Sequence, residues 1–503
     1  MTVNNRLSQT YRTGLALLTD LYQITMAYGY WKLGLASKQS VFHLYFRKPS
    51  FGGGYTIAAG LADVAEFVRT LHFDDADLDY LASLEGNDGR PLFDPGFTAC
   101  LRKLEWDLDI DAVPEGTVVF PNEPLVRVTG SILQAQLLET TLLTLVNFPT
   151  LVATKAARVC HAAAGQPVFE FGLRRAQGVD GGLTASRAAY LGGCSATSNL
   201  LAGRMFNIPV KGTHAHSWVI SFDSEREAFD AYAEVQPNNC TLLVDTFDTL
   251  AGVRAAAATG VAMRERGGGR LAAIRLDSGD LAYLSAEARR ILDEAGLPET
   301  KVLVSNDLDE TIIESIRQQG GRIDLWGVGT KLVTAFDQPS LGGVYKLSAV
   351  RNSSADPWQY KLKLSEQVAK ISIPGVLQVR RFREGGRFVA DAVWSEPEGL
   401  GDPARIVDPT DPTRTRLLSD GRLQHEDLLI PVFRQGRQVH EPAPLAEARA
   451  RVQSQLSALH PAIKRHLNPH EYPVGLEANL HELRTHHIQR ARQEAAVLKG
   501  AAR

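Results

Sequence analysis

A chain of 503 residues is too long for one hydrophobic core of ordinary size, so at least two domains are expected. Hydrophobic content of 44%, charged content of 22% and a formal net charge of -3 describe a globular protein without polyelectrolyte character, which excludes bulk attraction to nucleic acid or to an anionic membrane. The four cysteines, Cys100, Cys160, Cys194 and Cys240, form no C-x-x-C pair; free thiols in a reducing compartment are expected rather than a zinc ribbon or a disulfide framework.

Residues 1–14 carry no apolar signal core, and the most apolar helical stretch, 137–164, is interrupted by Glu139, Lys155 and Arg158. A cytoplasmic protein with no membrane span is the expectation. Residues 15–33 read as an amphipathic helix capped at Thr19 or Asp20, with Tyr22 beside the cap. Alternation over 41–47 predicts a half-buried strand, Gly52-Gly53-Gly54 a turn, and 116–121 and 125–128 short strands, the mixture of an α+β or sandwich-like first domain.

The densest cluster of functional residue types spans 169–219. It reads as a strand ending at Phe171-Gly172, an Arg174-Arg175 pair, a Gly181-Gly182 turn opening a helix, and two histidines, His214 and His216. Glycine lets backbone approach a ligand, arginine forks match phosphate or carboxylate oxygens, and helix N-termini favour anions. The same strand, turn and helix is also ordinary α/β scaffolding.

Beyond it the pattern becomes regular. Strands at 168–171, 241–244, 271–274, 301–304 and 323–326 alternate with helices such as 281–295 and 309–319, which predicts a parallel sheet, open or closed into a barrel. Polar residues and glycines gather where these strands end: Asp245; Arg275-Leu276-Asp277-Ser278-Gly279-Asp280; Ser305-Asn306-Asp307; Gly327-Val328-Gly329-Thr330. Barrel enzymes place their sites at such ends, although any one aspartate there could simply cap the next helix. After residue 341 the repetition stops. A polar hairpin at 380–387 and helices at 446–460 and 476–498 follow, and the basic run 484–492 suits a solvated helix face.

Backbone N–H groups of Gly327-Val328-Gly329-Thr330 and the Thr330 hydroxyl would suit phosphate. Asp277 and Asp280 flank Ser278-Gly279; they fit Mg²⁺ (or Mn²⁺) held mostly through water and substrate phosphates, or sugar hydroxyls, or helix caps. The imidazole of His216 could be a general base, a metal ligand or a nitrogen nucleophile.

Thr19-Asp20-Leu21-Tyr22-Gln23, Phe171-Gly172-Leu173-Arg174-Arg175, Gly212-Thr213-His214-Ala215-His216-Ser217, the 274–280 and 305–307 segments, Gly327-Val328-Gly329-Thr330 and Pro339-Ser340-Leu341-Gly342-Gly343-Val344-Tyr345-Lys346-Leu347 occur in one order over about 19–350. Together they resemble the nicotinate phosphoribosyltransferases. The resemblance implies an irregular TIM-like α/β barrel at 146–350, an N-terminal α+β domain at 1–145, and a region at 351–503 that packs back on that domain and ends in a helical tail. It also implies a homodimer with active sites at the subunit interface. The implied reaction joins nicotinate to phosphoribosyl pyrophosphate, giving nicotinate mononucleotide and pyrophosphate for NAD synthesis, with ATP hydrolysis coupled through a phosphohistidine.

By the same resemblance, Phe171 and Tyr22 of the partner subunit sandwich the pyridine ring, while Thr213 and Arg275 contact nicotinate. Asp277 lies against the ring or ribose, and Asp20, Arg174, Ser278, Asn306, Gly327, Gly329 and Thr330 serve the phosphoribosyl group. His216 accepts phosphate from ATP, and Asp280 reaches Mg²⁺ through water. Ser195 falls near an acidic residue of nicotinamide-using relatives, and a neutral serine there favours a carboxylate substrate. Two other readings stay open, a nicotinamide phosphoribosyltransferase and a barrel aldolase or isomerase of phosphosugars that would draw on Lys331.

Overall fold

The computed structural model describes residues 6–11, 14–267, 269–367, 370–418 and 422–501; positions 1–5 and 12–13 of the opening stretch lie outside it. The chain divides into two compact units, Met1–Leu151 with Ser340–Arg503, and Val152–Pro339.

The first unit is built on a seven-stranded sheet in the order Gln359–Tyr360, Val344–Arg351, Gln39–Tyr45, Val126–Ser131, Asp109–Ala112, Ile430–Arg434 and Arg437–Gln438, antiparallel throughout. Its middle strands come from the N-terminal chain and its outer ones from beyond residue 340, so neither segment forms this sheet alone. His43 joins the two. Its buried Nε2 accepts from the Leu377 N–H at 3.1 Å, its Nδ1 lies 3.0 Å from the Ser348 hydroxyl, and burial, then Arg127, holds it neutral.

A second, six-stranded sheet contains the hairpin predicted around 380–387: Leu377–Glu384 and Arg387–Ser395 turn at Gly385-Gly386, both at positive φ. Fully buried Arg381 and Asp391 pair inside it, with Gln455 accepting from Arg381 at 2.9 Å and Tyr472 donating to Asp391 at 2.8 Å. Breaking such a pair from one side costs about 3–5 kcal/mol.

The helix expected over 15–33 starts at Leu21 and ends at Lys32. Asp20 is its N-cap, but the carboxylate accepts from the Thr140 hydroxyl at 2.7 Å instead of from its own helix. Ile24 and Ala27 enter a core with Phe93, Phe97, Leu133 and Leu137, while Leu21, Tyr22 and Met26 are exposed. The helix expected at 137–164 runs from Glu139 to Ala162, and a separate short helix, Ile132–Leu137, precedes it.

The second unit holds six parallel strands: β1 (Val168–Glu170), β2 (Ala196–Thr197), β3 (Cys240–Leu243), β4 (Leu271–Leu276), β5 (Lys301–Val304) and β6 (Leu325–Val328). Their order is β2-β1-β6-β5-β4-β3. Pairing of β6 with β1 makes the order that of a barrel, yet among the described residues no ladder joins β2 to β3. The described strands form a curled parallel half-barrel sheet, which is as far as the irregular TIM-like barrel expected is met.

One segment explains the open seam. Thr197 at the edge of β2 donates to the Pro209 carbonyl at 3.0 Å and accepts from the Lys211 N–H at 3.0 Å, while the Leu243 N–H of β3 donates to Nε2 of His214 at 3.2 Å. Residues 209–214 thus satisfy backbone groups on both edges that a β2–β3 ladder would otherwise use.

Candidate active site

The carboxyl ends of the strands converge as the βα pattern predicts. Arg275, near the end of β4, is only 12% exposed. Its Nε donates to the Ser305 hydroxyl at 2.8 Å, Nη1 to Thr213 Oγ1 at 3.1 Å and Nη2 to Asp277 Oδ1 at 3.1 Å. Ser305 in turn donates to Asp277. Three partners on three segments fix the plane of the guanidinium, which an ammonium could not reproduce. Its carbon lies 5.6 Å from the centroid of the Phe171 ring.

Phe171 follows β1, where its N–H donates to the Val328 carbonyl at 2.8 Å. A Cβ at Gly327 would stand 2.8 Å from the ring, so the absence of a side chain there makes room for Phe171. This corrects the expectation of a phosphate turn beginning at Gly327: the residue is buried inside β6, and only Gly329, the N-cap of the one-turn helix Thr330–Val333, and Thr330 itself follow the strand.

Asp245 stands just past β3 and connects three site residues. Its Oδ1 accepts from His216 Nε2 at 3.2 Å, and its Oδ2 accepts from the Asp277 N–H at 2.9 Å and the Ser278 hydroxyl at 2.6 Å. The carboxylate is 1% exposed and the imidazole 40%. An ionised carboxylate only accepts, so Asp245 selects the His216 tautomer protonated on Nε2 and leaves Nδ1 with its lone pair. His214 is different in kind. With Nε2 accepting from Leu243, its Nδ1 donates to the Ala215 carbonyl at 3.3 Å; burial keeps it neutral, and its ring meets Tyr232 edge-on at 4.7 Å. Both nitrogens are committed to the fold.

Not every expected residue joins this group. Ser195 donates its N–H to the Val168 carbonyl, at the start of β1 and thus at the other end of the sheet; the serine level with Phe171 is Ser198, whose N–H donates to the Glu170 carbonyl at 2.9 Å. Asp280 spends Oδ1 on the N–H groups of Ala282 and Tyr283, both at 3.1 Å, as the N-cap of Leu281–Glu294. Gly181 and Gly182 do not make a turn. They lie within the helix Gly178–Gly192, where a Cβ on Gly182 would stand 2.7 Å from Leu173.

Arg174 and Arg175 are exposed on the turn Leu173–Arg175, and Asn306 and Asp307 project after β5 at φ of 101° and 41°. Asp20 and Tyr22 belong to the first unit. Lys331 is paired with Asp309 at 2.6 Å, which leaves it poorly suited to Schiff-base chemistry. Asp245 and Ser305 were not singled out from the sequence as site residues. Their signal was positional: each follows a strand end, as Asp277 does.

An α/β enzyme with its site at the carboxyl ends of a parallel sheet, offering a fixed cation over an aromatic face and a carboxylate-oriented histidine, is what fold and geometry define. Residues 17–147 match the family model described as the nicotinate phosphoribosyltransferase N-terminal domain, and 378–484 that of its C-terminal domain. The chain is 40% identical over 468 residues to nicotinate phosphoribosyltransferase of Bacillus subtilis (strain 168), covering 92% of this chain and 93% of that protein. To the protein of the same name from Homo sapiens it is 37% identical over 525 residues, covering 93% and 95%. The crystal structure of human nicotinic acid phosphoribosyltransferase aligns with a TM-score of 0.79 at 34% identity, over 93% of this chain and 99% of that one. The chain belongs to the nicotinate phosphoribosyltransferase family.

Proposed function

We propose that this chain transfers the phosphoribosyl group of phosphoribosyl pyrophosphate to nicotinate in NAD synthesis, with ATP hydrolysis coupled through phosphorylation of His216. The observation that carries the substrate reading is Arg275, held flat by Thr213, Ser305 and Asp277 beside the ring of Phe171. A planar aromatic acid needs both features, a face to stack on and a charge-assisted donor for its carboxylate.

In the transfer, the pyridine nitrogen forms a bond to the ribose anomeric carbon while the bond to pyrophosphate breaks and the leaving group departs with the electron pair. Positive charge grows on the sugar and negative charge on the leaving oxygens. Asp277, already oriented by Arg275 and Ser305, faces the first; Arg174, Asn306, Ser278, Gly329 and Thr330 surround the second in this reading. Gly327 is assigned a packing role. A divalent cation such as Mg²⁺ would enter on the diphosphate and offset its charge.

His216 suits phosphoryl acceptance because Asp245 leaves Nδ1 free and can balance the charge that forms on the ring. A homodimer in which Tyr22 of the partner subunit closes over the nicotinate ring is supported by the exposure of Leu18, Leu21, Tyr22 and Met26 along one helix start. A cytoplasmic setting is supported by the four free cysteines, which a reducing compartment would keep as thiols. Side-by-side turnover of nicotinate and nicotinamide with phosphoribosyl pyrophosphate, with and without ATP, tests the assignment. Preference for the amide would overturn it.

A further inference from the structure

Glu170, the last residue of β1, is fully buried and accepts hydrogen bonds on both carboxylate oxygens. Oε1 takes the Gly172 N–H; Oε2 takes the Ser186 hydroxyl at 2.9 Å and the Thr197 hydroxyl at 2.5 Å. Ser186 belongs to the helix Gly178–Gly192 and Thr197 to β2. Its own carbonyl accepts from Ser198. One side chain therefore gathers the turn after β1, the next helix and the next strand.

Phe171 is carried between Glu170 and Gly172. The strand holds the residue before it, and the Glu170 carboxylate holds the amide after it. Gly172 is also pressed against the one-turn helix Thr330–Val333 after β6, since a Cβ at Gly172 would stand 2.4 Å from Val333 and 2.9 Å from the Gly329 carbonyl. With both neighbours fixed, the direction of the Phe171 side chain is fixed as well, and so is the start of the turn that bears Arg174.

We propose that Glu170 is a positioning residue for the substrate site, anchoring Gly172 so that Phe171 presents its ring to the aromatic substrate; this rests on the reading of Phe171 given above. The function lies in acceptor geometry and not in charge. Both hydroxyl partners can reverse roles: Ser186 already reaches the Gly182 carbonyl at 2.9 Å and accepts from Asn199 Nδ2 at 3.2 Å, and Thr197 accepts from the Asn199 N–H at 3.0 Å. A glutamine at 170 can keep its amide oxygen on Gly172 and turn its NH₂ toward those hydroxyls. An alanine leaves the Gly172 N–H without its acceptor.

The test compares wild type, Glu170→Gln and Glu170→Ala in the full-length protein by two readouts. Hydrogen exchange of the free protein follows the peptide containing Gly172, and steady-state kinetics follow nicotinate. Glu170→Ala is expected to speed exchange at Gly172 and raise the nicotinate KM each by about tenfold, with a smaller loss in kcat, while Glu170→Gln stays within about threefold of wild type. Unchanged protection and KM in Glu170→Ala would overturn the proposal, as would Glu170→Gln being as impaired as Glu170→Ala. If Glu170→Ala does not fold, Glu170→Asn, one methylene too short to reach Gly172, takes its place with the same expected outcomes. Failure of wild type to use nicotinate would count against the substrate reading alone, because the exchange measurement decides the anchoring without substrate.

Discussion

Oδ1 of Asp245 lies 3.2 Å from Nε2 of His216, and Oδ2 of the same carboxylate takes the Asp277 N–H and the Ser278 hydroxyl. The histidine that would carry phosphate is thus wired to the segment that would face the ribose. Asp245→Asn tests the tautomer argument. With its oxygen kept on Asp277 and Ser278, the asparagine presents an NH₂ to Nε2, which forces the proton onto Nδ1 and removes the nucleophilic lone pair. Phosphorylation of His216 by ATP, read by mass spectrometry, should fall by about two to four orders of magnitude, in line with tautomer reversal in other histidine–carboxylate pairs. ATP-independent transfer should persist at a slow rate. An Asp245→Asn protein labelled as fast as wild type would show that Asp245 does not select the tautomer.

Arg275 should govern the choice between acid and amide. Arg275→Ala removes the cation and leaves the Asp277 carboxylate with the Ser305 hydroxyl as its remaining side-chain partner. Loss of a charge-assisted hydrogen bond is worth about 1.5–3 kcal/mol, or roughly 10- to 150-fold in kcat/KM for nicotinate. Nicotinamide, which carries no carboxylate, should lose far less. Equal losses for the two substrates would show that Arg275 acts on the fold and not on the carboxylate.

The βα alternation made the parallel sheet legible because each strand is a short apolar run that ends in polar residues, and the site followed from those ends. What the pattern could not show is tertiary. β2 is only two residues long, too short for any periodicity, and the seam beside it depends on bonds from the irregular segment 209–214, two from backbone and one from the His214 side chain. Gly327 looked like part of a phosphate turn because a Gly-x-Gly-Thr string is the same whether a glycine serves a ligand or makes room for Phe171; only the 2.8 Å approach distinguishes them. For Ser195, a small-residue run such as Gly192-Gly193-Cys194-Ser195-Ala196-Thr197-Ser198 gives no register by itself; only the bonds of Ser195 to Val168 and of Ser198 to Glu170 show which serine is level with Phe171.

His214 separates a structural histidine from a chemical one two residues away. Because its Nε2 accepts from the Leu243 N–H at the open edge of β3, His214→Ala strands a buried donor, at a cost of about 1–3 kcal/mol before any cavity beside Phe229 and Tyr232 is counted. Thermal denaturation should show a clear loss of stability, while ATP should still label His216 in the folded protein. Disappearance of the label at a temperature where the variant remains folded would assign His214 a part in phosphoryl transfer.

Glu225 gives the site's surroundings a pH dependence. It stands in the first turn of the helix Glu225–Val235, where the helix dipole favours a carboxylate, yet burial, then Asp245, then Asp248 lift its pKa from 4.5 to about 7. One of its oxygens is buried without a hydrogen-bond partner, and a Cβ on Gly252 would stand 3.1 Å from the other. Between those two pKa values the folded protein holds a proton that the unfolded chain has released. The stability this proton contributes is therefore complete below pH 4.5 and is lost as pH rises through about 7. Glu225→Gln removes the titration while keeping the shape. Its melting temperature should match that of wild type near pH 5 and exceed it at pH 8, and a variant no more stable than wild type at pH 8 would mean that Glu225 ionises in the fold at its ordinary pKa.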